Sequence, residues 1–99
     1  MSPEAARAGY DALRAGAPLT EELISAVAVY TAHNGYKTHG VVEAVLSPDH
    51  YGVRLADGTA VRANLSKALW WKRVVLAPGA RVAVLAVRGG DLAMILRTL

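Results

Sequence analysis

The chain is 99 residues long, 54% apolar and 19% charged, and it has no cysteine. That composition excludes intrinsic disorder, a disulfide scaffold, a thiol nucleophile and a cysteine-based zinc site. The net charge of +3 excludes a polycation, and a chain of this size buries roughly 65% of its unfolded surface, enough for one small core and no second.

The charge is uneven. Residues 41–99 carry eight Lys and Arg against four acids, so attraction to a polyanion belongs in that part. The low charged share leaves much of the surface uncharged, a first hint of burial against partners. No stretch reaches the ~20 apolar residues of a membrane span. Met1-Ser2-Pro3-Glu4 has neither the basic nor the apolar part of a secretion signal, so a cytosolic protein is expected.

The first third reads as two helices. Ser2 caps a helix that starts with Pro3 and Glu4, runs to Ala15 and is stopped by Gly16 and Pro18. Thr20 caps a second, with Glu21 and Glu22 in its first turn and Leu23, Val27 and Tyr30 at helical spacing. Asn34-Gly35 ends it, both residues tolerating the left-handed conformation.

From Thr38 the period changes to two. Gly40–Leu46 reads as a strand closed by Ser47-Pro48-Asp49. Tyr51, Val53 and Leu55 alternate with Gly52, Arg54 and Ala56, and Asp57-Gly58 is a two-residue hairpin signal. Val61, Ala63 and Leu65 alternate next. Ser66–Trp71 is ambiguous, with a single helical turn among the options. Arg73–Leu76 reads as a short strand, Pro78-Gly79 as a turn, and Arg81–Val87 as a strand apolar on both faces. Gly89-Gly90 turns the chain into Leu92–Leu96. Five or six short strands with regular turns predict an α+β protein: a small closed antiparallel barrel at 37–99 behind a helical segment at 1–36. Since an isolated barrel covers one strand face only, the outside of Val82–Val87 must be covered by the helices or by another protomer.

The motifs Gly40-Val41-Val42, Val53-Arg54-Leu55-Ala56-Asp57-Gly58, Ala63-Asn64-Leu65-Ser66 and Pro78-Gly79-Ala80-Arg81-Val82 resemble, in order and spacing, those of bacterial translation initiation factor one, an OB-fold protein. The chain departs from that family at Lys67–Trp71, where the family's basic turn grips ribosomal RNA, at Val87–Asp91, where a Ser-Pro-Tyr-Asp segment is missing, and in its N-terminal helices. The run from Gly79-Ala80-Arg81-Val82 through Gly89-Gly90, Ile95-Leu96 and Leu99 resembles the C-terminal signature of small OB-barrel proteins of phage tails and baseplates, which also carry an N-terminal helix. That resemblance implies an assembly role.

Catalysis finds no constellation. Ser25, Ser47 and Ser66 lack a nucleophile context, Gly89-Gly90 is no phosphate loop, and His33 and His39 are two potential ligands without a third, read as solvated linker side chains. Trp70-Trp71-Lys72-Arg73 is the most unusual stretch. Neighbouring tryptophans cannot both enter a core this small, leaving three roles open: a cap for the barrel, an anchor for a protein interface, or a platform for nucleobases. Arg54 and Arg62 share the outer face of one hairpin, as a solvated face or a phosphate stripe. The Leu23/Val27/Tyr30 face docks on the barrel or on a neighbouring subunit.

The leading expectation is therefore a non-enzymatic structural protein of a phage particle (tail, baseplate or head-to-tail connector). It would use Trp70–Arg73, Arg54 and Arg62 and the helix face toward other virion proteins and copies of itself. It needs no cofactor, metal or membrane, and would be assembled in the bacterial cytoplasm and found in the virion. The positive decoration reads as too thin for polyanions. The alternative is a cytoplasmic RNA-binding factor resembling initiation factor one, using those same tryptophans and cations. A regulator of a host enzyme such as a polymerase comes third.

Overall fold

The computed structural model describes all residues, 1–99. Helix α1 (Pro3–Arg14) begins where Ser2 accepts a hydrogen bond from the Ala5 N–H at 3.1 Å, and Gly16 leaves it at φ 101°. Helix α2 (Glu21–Asn34) is capped by Thr20, which accepts from the Leu23 N–H at 3.2 Å. The helices cross tightly because a Cβ on Gly9 would collide with that of Ala26. Tyr10 and Tyr30 stack with ring centroids 4.3 Å apart.

The strands are β1 (Gly35–Ser47), β2 (His50–Leu55), β3 (Ala60–Leu65), β4 (Arg81–Val87) and β5 (Leu92–Thr98), with a short helix α3 (Lys67–Trp71) between β3 and β4. They close into a barrel in the order β1-β2-β3-β5-β4. Four pairings are antiparallel and β3·β5 is parallel, so the barrel is mixed rather than purely antiparallel. The parallel pair is possible because α3 and the following loop carry the chain across the barrel end, the long connection such a pair requires.

Several local expectations need correction. Strand β1 is 13 residues long and follows α2 without a linker. Its first half pairs with β4 (Gly35↔Val87 to Val41↔Arg81) and its second with β2. Gly35 is extended, not left-handed. It is needed for close approach, since a Cβ there would lie 2.5 Å from the carbonyl oxygens of both Ala86 and Thr31. Residues Arg73–Leu76 are a loop, although Val74 and Leu76 point into the core as strand residues would. The Asp57-Gly58 hairpin has a three-residue loop, with Leu55 N–H donating to Thr59 C=O and Gly58 at φ 90°, the geometry of a glycine bulge.

Two cores form where the length argument allowed one. Inside the barrel, Val42, Tyr51, Val53, Leu65, Val82, Val84 and Ile95 belong to a 13-residue buried cluster. Outside it, Tyr10, Leu13 and Val27 of the helices close over Leu92 and Met94, flanked by Leu85 and Val87. The helices thus cover the part of the outer face of β4 and β5 that holds Leu85, Val87, Leu92 and Met94, and leave Arg81, Ala83 and Arg97 outside. Each large side chain so buried contributes ~1.5–3 kcal/mol. The Tyr10 hydroxyl anchors the dock by donating to the Leu92 carbonyl at 2.7 Å, and burial raises its pKa.

Candidate nucleic-acid interface

Helix α3 begins where Ser66 turns its hydroxyl back over Leu69 N–H, at 3.5 Å. The helical turn separates the two tryptophans by about 100°. Trp70 is half-buried against the barrel core, together with Leu69 and Val74. Trp71 is 63% exposed. One face of its indole carries Lys67 Nζ, 5.0 Å from the ring centroid, which in turn sits 3.0 Å from Glu21. Lys72 and Arg73 follow, exposed and outside every ion pair of the chain.

The turn after α3 is a Schellman motif. Val74 N–H donates to Leu69 C=O and Arg73 N–H to Trp70 C=O, both at 3.1 Å. Arg73 holds the left-handed position of that motif at φ 54°, the one non-glycine residue with positive φ. Such a position ordinarily takes glycine, and an L side chain there costs roughly 1 kcal/mol. Trp70, Trp71, Arg73 and Val75 line a groove of about 510 Å³ whose far wall includes Asp49 and Glu21.

Arg54 and Arg62 do lie two rungs apart on the outer face of the β2·β3 ladder. Both are engaged elsewhere. Arg54 Nε donates to Glu43 at 3.0 Å and Nη1 to the Gly58 carbonyl at 2.7 Å. Arg62 Nη2 donates to the Leu13 carbonyl at 2.6 Å, tying the end of α1 to the barrel. Arg14 reinforces that tie at 2.7 Å from Asp91, whose carboxyl it holds below the usual range. His50 is half-buried. Burial, and then the positive charge of Arg62, push its imidazole pKa down.

The helix face of Leu23, Val27 and Tyr30 packs on the outer core rather than facing out. Val27 is fully buried, and Leu23 and Tyr30 are half-buried against the same cluster. Ile24, Ala26 and Thr31 are buried too, so the packed surface is wider than the sequence stripe. His33 and His39 stand exposed on α2 and β1, and no three His, Asp or Glu side chains come together in a metal-holding group. No helix is long and apolar enough to cross a membrane.

One group of basic side chains escaped the sequence. Lys37 and His39 on β1, Arg81 on β4 and Arg97 on β5 all point outward and are exposed. The β1·β4 and β4·β5 pairings, which no local period shows, bring them to one face.

No family model matches the chain, and no curated protein sequence does. Solved structures do. YjeQ from Thermotoga maritima superposes on 65% of this chain and 23% of its own length, with a TM-score of 0.54 at 18% identity. Translation initiation factor one from the Wolbachia endosymbiont of Brugia malayi superposes on 67% of this chain and 79% of its own length, with a TM-score of 0.53 at 22% identity. The barrel is of the OB type. At these identities the likeness is one of fold. It supports the barrel half of the resemblance drawn from Gly40–Val42 and Val53–Gly58; the phage-tail half has no counterpart in either structure.

Proposed function

We propose that this chain is a non-enzymatic OB-barrel protein that binds single-stranded RNA at the rim formed by α3 and its C-terminal turn. The single observation that carries this is the exposed Trp71 indole followed by Lys72 and Arg73, two cations with no acidic partner. OB barrels bind single strands by stacking bases on aromatic side chains beside a positively charged groove. Trp71 supplies the platform, Lys72 and Arg73 the phosphate contacts, and Trp70 anchors the helical turn by packing on the barrel core. The likeness to a translation factor adds weight to RNA over other single strands, and the site of action would be the bacterial cytoplasm.

Stacking on an indole is worth ~1–3 kcal/mol per base. Trp71→Ala should therefore weaken binding of an oligouridylate by about ten- to a hundredfold in fluorescence anisotropy, with the folded signal intact. Equal affinities of variant and parent would remove the proposal.

A second reading is favoured by a different observation. Val45, Leu46 and Val75 are exposed, Val75 at 82%. Apolar residues left in solvent suit a protein interface, and with the C-terminal signature they keep alive an assembly subunit of a phage particle, in contact with other virion proteins and its own copies. That subunit would appear at fixed stoichiometry in purified particles and would bind RNA no better after Trp71 is restored.

A further inference from the structure

The outer face of β1, β4 and β5 carries a second set of basic side chains, on other elements than Trp71–Arg73. His39, Ala83 and Arg97 form one row across three strands, through the pairs His39↔Ala83 and Ala83↔Arg97. Lys37 stands two residues along β1 and Arg81 two residues along β4, so both share that face. Adjacent strands lie about 4.8 Å apart and alternate residues about 6.6 Å. By that spacing Arg81 and Arg97 stand about 8 Å apart, a Debye length at physiological salt, while Lys37 and Arg81 at the two ends of the set stand about 14 Å apart. Ala83 leaves an open floor between them, and the groove there measures about 460 Å³.

No Asp or Glu side chain lines this groove, and none of Lys37, Arg81 and Arg97 enters an ion pair. Elsewhere Arg7, Arg14, Arg54 and Lys67 face acids, while Lys72, Arg73 and Arg88 do not. Arg81 and Arg97 are diagonal neighbours on adjacent strands, close enough for long side chains to meet, so their like charges lower stability slightly. What sets Lys37, Arg81 and Arg97 apart is that three unpaired cations share one groove, an electrostatic cost that an anion would relieve.

The form of the anion follows from the spacing. The donors are spread over three strands and converge on no single point, which does not suit one compact phosphate. They suit a chain of phosphates laid across the strands. No Phe, Tyr or Trp lines the groove, so it offers no large platform for bases. We propose that Lys37, His39, Arg81 and Arg97 form a phosphodiester track, a sequence-independent contact to the backbone of a nucleic-acid strand. It rests on the RNA reading for the identity of the strand but uses a separate set of residues.

The test separates the two. Binding of an oligouridylate and of inorganic polyphosphate, which has no bases, is followed against salt for the parent, for Trp71→Ala, and for a chain carrying Lys37→Gln, Arg81→Gln and Arg97→Gln. All three substituted cations are exposed, so the fold should survive, with an unchanged or slightly raised melting temperature. Each phosphate contact to a single strand contributes about 0.7 to the slope of log affinity on log salt, so the triple variant should lose about 2 from that slope. Near 0.1 M salt this amounts to roughly a hundredfold weaker binding of both ligands. Trp71→Ala should weaken the oligouridylate alone and leave the slope in place. A triple variant with the parental slope overturns the track while leaving the RNA site standing. An oligouridylate affinity that Trp71→Ala leaves unchanged, with the slope still lost in the triple variant, overturns the RNA site and keeps the track; polyphosphate binding with no oligouridylate binding overturns both. A parent that binds neither overturns both.

Discussion

Two sets of cations on the same barrel wall differ in what surrounds them. On β2 and β3, Arg54 is held by Glu43 and by the hairpin carbonyl of Gly58, and Arg62 by the carbonyl of Leu13. On β1, β4 and β5, Lys37, Arg81 and Arg97 meet no acid at all. The first set spends its charge inside the molecule, while the second presents it outward. A count of positive residues per strand would rank the two alike. The register and the nearest acceptor set them apart.

The sharpest way to break that contrast is to remove Arg62. Arg62→Ala deletes a charged hydrogen bond at the helix–barrel junction, and we expect a loss of about 2 kcal/mol, which shows as a melting point lower by roughly 10 °C. The neighbouring Arg54→Ala, whose pair is half exposed, should cost under about 1 kcal/mol. If the two losses were equal, Arg62 would not be holding α1.

A smaller effect of opposite sign is expected at the rim. Arg73→Gly relieves the left-handed backbone of the Schellman turn and should raise the urea midpoint by an amount equivalent to about 1 kcal/mol, with an unchanged m-value. Under the RNA reading the same variant binds oligouridylate more weakly. A variant that gains stability and keeps full affinity would make Arg73 an accident of the turn.

The smallest effect concerns His50, beside Arg62. Its folded pKa lies below the ordinary ~6.5. The native state therefore binds fewer protons than the unfolded chain just below that pH. Its contribution to stability is present above about pH 6.5, declines as the pH falls, and levels off once the folded state is protonated as well. Chemical denaturation at stepped pH should show this decline, and His50→Gln should flatten it.

Much of the framework could be read from local pattern. The caps Ser2 and Thr20, the alternation of Tyr51, Val53 and Leu55, and the two-faced apolar run of β4 each announce their element because the signal lies within a few residues. The first half of β1 did not announce itself. Its outward positions are Lys37 and His39, and its inward ones Tyr36, Thr38 and Gly40, so no apolar alternation marks it. Arg73–Leu76 misled in the opposite way, since Val74 and Leu76 alternate into the core from a loop. The parallel closure of β3 on β5 and the cation face of β1, β4 and β5 depend on which distant strands meet, which no local period encodes. Trp71 could be named from the sequence, but its exposure could not, because either tryptophan could have taken the buried side of the turn.

Between Asn34 and Gly35 there is no spacer: the last residue of a helix is bonded to the first residue of the strand that bears Lys37 and His39. A joint without slack transmits any tilt of the helical pair straight into the wall of the barrel. A ligand of the kind proposed for that wall would therefore be felt by the helical pair, and a change in how the helices pack would alter the spacing of Lys37 and His39.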